Sequence, residues 1–147
     1  MSKQIQSVEE VLAEQGYYVS TTVGSSMWPL LRSRRDSVEI RPVQGRLNRL
    51  DVPLYRQAGK LVLHRVVRVT ADGYVICGDN CDFYERDVTD AQIVGVMTSF
   101  YRGEKHHNVN EKGYRLYSRV WVALFPIRWL VKRVLRILSK IKHRLFG

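Results

Sequence analysis

The spacing of apolar residues changes character once along this 147-residue chain, close to Gly113, and that change limits what either side can fold into. After it, Ile127, Leu130, Val131, Val134, Leu138, Ile141 and Leu145 recur at steps of three and four, the pattern of a helix with one apolar face. Before it, short segments alternate apolar and polar residues and are broken by Gly, Asn and Asp. Residues 17–23, 35–41, 51–55, 60–69, 74–77 and 93–101 read as strands, and Asp72-Gly73 marks a hairpin between the fourth and the fifth. Residues 7–15 read as a short helix: Ser7 can cap it, Glu10 stands three residues on as in a capping box, and Gly16 stops it. Residues 105–110 are polar and read as a linker. The expectation is a mainly β fold with a short N-terminal helix and a long basic amphipathic C-terminal helix, divided into a β domain at 1–112 and a helical tail at 113–147.

The formal net charge of +10 would by itself point to nucleic acid or to anionic lipid. Its distribution says more. Glu111 is the last acidic residue and ten lysines and arginines follow it, so nearly all the excess lies in the tail. The apolar run at 120–127 is too short to span a bilayer. The helix beyond it has the composition of one lying in the plane of a membrane surface, with Trp121, Arg128, Trp129, Lys132, Arg133 and Arg136 at the headgroup boundary. Packing of the apolar face on the β domain or on a second copy is the competing reading. No platform of aromatic and basic residues accompanies the charge, so nucleic acid is not an expected partner.

Glu9 and Glu10 stand where a secretory segment would run apolar, and a location on the cytoplasmic side, peripheral to the membrane, is the expectation. Cys77 and Cys81 are too few for a disulfide framework and their spacing matches no zinc pattern. They read as reduced thiols, and no metal or cofactor is expected.

A serine hydroxyl is a poor nucleophile near neutral pH, so an enzyme that uses one places a base within hydrogen-bond reach and a backbone donor where the oxyanion forms. The segment Gly24-Ser25-Ser26-Met27-Trp28-Pro29 can provide such a site: Gly24 permits unusual dihedrals, Pro29 stiffens the exit, and Ser26 falls on a bend at a strand end. Read without its neighbours, the same segment is also an ordinary turn. Ser26-Met27-Trp28-Pro29 closely resembles the nucleophile motif of the signal peptidases, where a serine precedes Met-x-Pro. The resemblance continues in order down the chain. Asp36-Ser37-Val38-Glu39-Ile40 resembles the strand that follows in that family, Leu63-His64-Arg65-Val66-Val67 the segment carrying the general base, Gly78-Asp79-Asn80 the Gly-Asp-Asn box, and Gln92-Ile93-Val94-Gly95-Val96 the closing strand.

What the resemblance implies is a signal-peptidase-like β core, related to the SOS-repressor autopeptidases, and a serine endopeptidase without a cofactor. Where many relatives carry a lysine base this chain has His64, which the resemblance assigns to a Ser/His/Asp mechanism; imidazole titrates near neutrality without special burial. Lys60 is the residual candidate for a lysine base. For the acid that orients His64 the first choice is Asp79 and the second Asp82, while a role for Asp79 in organising a turn stays open. In some relatives the acid lies beyond the box, at an offset that falls here on Glu85, a departure from the pattern. Ser25 and Met27 are expected to support the oxyanion. The expected function is cleavage of a leader or signal segment from a peptide or protein precursor through an acyl-enzyme. The alternatives are an autoproteolytic or regulatory module of the same fold, and a non-catalytic adaptor on the membrane surface; an oligomer is possible on either reading.

Overall fold

A computed structural model describes residues 6–147. The first helix, α1 (Val8–Gln15), is closed at its start by the expected reciprocal pair: Ser7 Oγ accepts from the Glu10 amide at 3.2 Å, and the Glu10 carboxylate accepts from the Ser7 amide at 3.1 Å. It ends at Gly16, whose φ of 79° is left-handed. Leu12 is its buried residue and joins the core.

Nine strands follow: β1 (Tyr18–Thr21), β2 (Ser37–Arg41), β3 (Pro53–Gln57), β4 (Lys60–Leu63), β5 (Arg65–Val69), β6 (Tyr74–Cys77), β7 (Glu85–Val88), β8 (Ile93–Arg102) and β9 (Lys105–Asn108). All of them pair antiparallel. The larger sheet runs β1-β2-β8-β3-β4, and the smaller one β5-β6-β7. The ten-residue β8 is the spine of the larger sheet. It pairs with β2 along one side, and on the other with β3 near its start and β9 near its end. Residues 105–108, expected as linker, are therefore a strand: the polar side chains of Lys105–Asn108 suit an edge position, where one backbone side pairs and the rest meets solvent.

Two helices close the chain, α2 (Lys112–Ala123) and α3 (Phe125–Phe146). With α1 they hold nearly as many residues as the strands, so the chain is mixed α/β and not mainly β. Tyr114 and Tyr117 of α2 pack against the first core and Ser118 is buried, so packing runs across the boundary expected at 112/113. Among the described residues no helix is long and apolar enough to cross a membrane.

The core has two apolar clusters, the second of them shared between the sheets through Tyr55 of β3. Leu12, Met27, Leu31, Val38, Ile40 and Phe100 belong to the first, and Leu47, Tyr55, Val66, Tyr74, Ile76 and Val88 form the second. A carboxylate fixes the long loop between β1 and β2. Asp36 is fully buried and accepts from the Arg32 amide at 2.7 Å, from the Arg32 guanidinium, and from the Gly103 amide at 2.9 Å.

The glycines separate close packing from open surface. A Cβ on Gly95 would stand 2.5 Å from Ile40 Cγ2 and 2.9 Å from the Arg41 carbonyl, whereas one on Gly113 would meet nothing. Gly95→Ala is expected to destabilise by about 1–3 kcal/mol, and Gly113→Ala, on α2, to stabilise by roughly 0.5–1 kcal/mol. Urea midpoints moving in opposite directions would bear this out; equal shifts would contradict it.

Candidate active site

The segment expected as one strand, 60–69, is two strands in different sheets, and the break between them is His64. β4 pairs with β3 in the larger sheet, and Arg65 opens β5 opposite Cys77 in the smaller one. Leu63 packs on the first core and Val66 lies within the second, so the chain crosses between sheets at this point. His64 is thereby buried in the seam, with 6% of its surface exposed.

The two edges of its ring face different partners. On the Nδ1 edge stand the Tyr55 hydroxyl at 3.2 Å and Glu85 Oε1 at 3.7 Å, and Tyr55 donates its single proton to Glu85 Oε2 at 2.7 Å. The Tyr55 oxygen is left able only to accept, so Nδ1 carries the proton of the neutral ring and Nε2 the free lone pair. Burial, and then the hydrogen bond to Glu85, hold the Tyr55 hydroxyl protonated well above the usual tyrosine range. Burial is also the largest influence on His64 and draws its pKa below the ordinary imidazole value, against the opposing pull of Glu85 and Asp79. Glu85 arrives here because β7 pairs with β6 in a register that sets it opposite Ile76.

The backbone of the Ser26 bend lies near the other edge. Past β1 the chain turns through a bend in which Gly24 has φ 91°, the Trp28 amide donates to the Ser25 carbonyl at 3.1 Å, and buried Met27 anchors the turn in the first core. The Gly-Asp-Asn box then clamps it: the Asn80 amide donates to the Ser26 carbonyl at 2.8 Å and Asn80 Nδ2 to the Ser25 carbonyl at 3.1 Å. Gly78 fills the space between serine and histidine. A Cβ there would lie 2.7 Å from the Ser26 carbonyl oxygen, 2.7 Å from Cys81 Sγ and 3.0 Å from His64 Cδ2, the atom bonded to Nε2. Only a glycine lets the three segments come this close. Among the described residues no hydrogen bond joins Ser26 Oγ to His64, and the amides of Ser26 and Met27 donate to no protein group.

The two acids expected to orient the base stand elsewhere. Both oxygens of Asp79 are taken by Arg65, from Nε at 2.8 Å and Nη2 at 2.9 Å, and the Tyr117 hydroxyl donates to the same carboxylate at 2.8 Å. Asp82 pairs with Arg136 of α3. The carboxylate facing Nδ1 is instead Glu85, at the offset that departed from the expected pattern. Arg65 is fully buried; its remaining donors reach the Leu50 carbonyl at 3.2 Å, Tyr114 Oη at 3.1 Å and Ser118 Oγ at 2.8 Å. Burial would lower the Arg65 pKa, but Asp79 more than reverses this and raises it.

The helices add to this arrangement from outside. Trp121 Nε1 and Arg128 Nη1 donate to the Asp79 carbonyl at 2.8 and 2.7 Å, and Lys132 Nζ to the Asn80 carbonyl. Trp121, Arg128, Lys132 and Arg136 therefore grip the box loop, where a membrane-facing position was expected for them. Trp129 and Arg133, stacked with 5.2 Å between guanidinium carbon and ring centre, keep an outward position. Lys60 is exposed at the start of β4. Cys77 and Cys81 are free, and burial pushes the Cys77 thiol up to about 12.

A cleft of about 410 Å³ leads away from Ser26. Thr21 to Gly24 form one wall, Leu61, Val62 and Leu63 the other, and Leu31, Val38, Ile40 and Leu54 lie between them. β1, with the bend that follows it, lies on one side and β4 on the other, and these strands stand at the two ends of the path β1-β2-β8-β3-β4. Tyr55, Arg65 and Glu85 are the site residues that sequence did not single out. Only the offset of Glu85 carried a signal; a tyrosine in a strand and an arginine after a histidine look the same in any sheet. No family model matches the chain, and no curated protein matches it.

Arg65→Gln leaves the Asp79 carboxylate buried with its main partner gone, and a loss of about 3–5 kcal/mol is expected. Arg65→Met combined with Asp79→Leu should recover much of it, whereas Asp82→Ala should cost less than about 1 kcal/mol because Arg136 is exposed. Urea unfolding followed by tryptophan fluorescence measures all three, and a single replacement of Arg65 without effect would refute the assigned weight of this pair.

Proposed function

We propose that this chain is a serine endopeptidase with a signal-peptidase-like core, cleaving a leader or signal segment from a peptide or protein precursor. The observation that carries the reading is the two-sided setting of His64. Its Nδ1 bonds to the Tyr55 hydroxyl, which Glu85 holds, and its opposite edge faces the backbone of the Ser26 bend across Gly78.

In this mechanism Ser26 Oγ attacks the scissile carbonyl carbon while its proton passes to His64 Nε2. The imidazolium is stabilised through Tyr55 by the Glu85 charge. Collapse of the tetrahedral intermediate breaks the C–N bond, and the proton moves from Nε2 to the departing amine. A water, deprotonated by the same nitrogen, then releases the acyl group and regenerates Ser26. The free amides of Ser26 and Met27 are the donors for the oxyanion, and the Ser25 hydroxyl is adjacent to them. The substrate lies extended in the cleft, its backbone pairing with the open edges of β1 and β4 and its apolar side chains entering between Ile40 and Leu54.

Ser26→Ala and His64→Ala are each expected to lower kcat/KM on an apolar leader peptide at least about a thousandfold, and to abolish labelling by a serine-directed acylating probe. Undiminished cleavage by Ser26→Ala would end this reading. Tyr55→Phe and Glu85→Gln should each lower kcat by about 10- to 100-fold, and the double variant by no more than the worse single one, because the two side chains act as one chain of bonds.

The pH profile follows from the sign of the His64 shift. The neutral ring is the active form and burial favours it, so activity should persist below the ordinary imidazole value of about 6.5. Glu85→Gln removes a pull that raises the pKa, so its acid limb should move to still lower pH; a shift to higher pH would contradict the assigned contact.

A further inference from the structure

Helix α3 is docked the wrong way round for a helix of a water-soluble surface. Such a helix buries its apolar stripe and presents its charges to solvent. Here Arg128, Lys132 and Arg136, one turn apart along one face, hold the box loop through the Asp79 carbonyl, the Asn80 carbonyl and the Asp82 carboxylate. Two residues further on from each, about half a turn round the helix, stand Leu130, Val134 and Leu138. With Ile141 and Leu145 they make a stripe in which every side chain is 45% to 70% exposed, and none of α3 is buried.

The flanks of this stripe are basic. Arg133, Lys140, Lys142 and Arg144 are exposed and form no ion pair among the described residues. The ten basic residues after Glu111 match the whole formal charge of +10, with no acid among them. Two copies meeting stripe to stripe would set these like charges against each other across a low-dielectric seam. An anionic lipid surface meets both features at once: acyl chains take the apolar stripe, and headgroup phosphates take the flanking cations.

We infer that α3 lies in the plane of an anionic membrane surface, with Leu130, Val134, Leu138, Ile141 and Leu145 inserted and Arg133, Lys140, Lys142 and Arg144 at the headgroups. This is independent of the catalytic reading and needs neither Ser26 nor His64. Because the opposite face of the same helix holds Asp79 and Asn80, attachment to the surface fixes the orientation of the cleft above it.

The test is co-sedimentation of the full chain with phosphatidylcholine vesicles, with and without phosphatidylglycerol. Binding is expected with the anionic lipid, and at least about tenfold weaker without it and at high salt. Leu138→Glu with Ile141→Glu should abolish it. Lys140→Gln, Lys142→Gln and Arg144→Gln together should weaken it about a hundredfold, on the scale of roughly fivefold per basic residue. Ser26→Ala should bind as the unaltered chain does, and unchanged urea midpoints would show that the surface variants remain folded. A chain that stays in solution with anionic vesicles would overturn the inference. So would a lipid-free dimer that Leu138→Glu dissociates, since a second copy would then be the occupant.

Discussion

The ion pair between Arg65 and Asp79 sets the spacing on which the rest of the site depends. Taking a guanidinium and a carboxylate out of water is unfavourable by several kcal/mol per ion, about the size of their attraction, and the balance holds only when every remaining donor finds an acceptor. Here each guanidinium nitrogen has an acceptor: Nε and Nη2 reach Asp79, Nη1 reaches Leu50, Tyr114 and Ser118, and Tyr117 adds a bond to the aspartate. Arg65 is the residue after His64, and Asp79 is the residue after Gly78. Joining the two charges therefore brings the ring of one segment against the bare backbone of the other, and Asn80 carries the Ser26 bend to the same place.

This arrangement divides the work of two carboxylates. Asp79 is committed to Arg65 and Tyr117, and both its oxygens are occupied. Glu85 has a tyrosine hydroxyl for a neighbour, and its influence reaches the imidazole through a polarisable bond. A hydroxyl interposed in this way fixes the tautomer, because its own proton is committed to the carboxylate and its oxygen can only accept.

Local chemistry made part of the structure legible in advance. The capping box at Ser7 and Glu10, the Asp72-Gly73 turn and the three- and four-residue steps after Gly113 each depend on residues close together in sequence. The segments singled out around Ser26, His64 and the Gly-Asp-Asn box lie side by side in the fold. What stayed hidden were matters of direction. A strand that leaves one sheet for another at His64 keeps its apolar pattern, because both sides of the crossing are buried. Composition marks Arg128, Lys132 and Arg136 as basic but not which way they point, and their destination, a loop of uncovered carbonyls, exists only after folding. The polar strand Lys105–Asn108 is likewise defined by the free edge of β8 and not by its own residues.

The cleft has a further consequence through the strands that bound it. Strands β1 and β4, which contribute to its lining, are sheet margins, and each leaves one ladder of amide and carbonyl groups without a neighbouring strand. Such a margin is complemented by any backbone held in extended form, whatever side chains it carries.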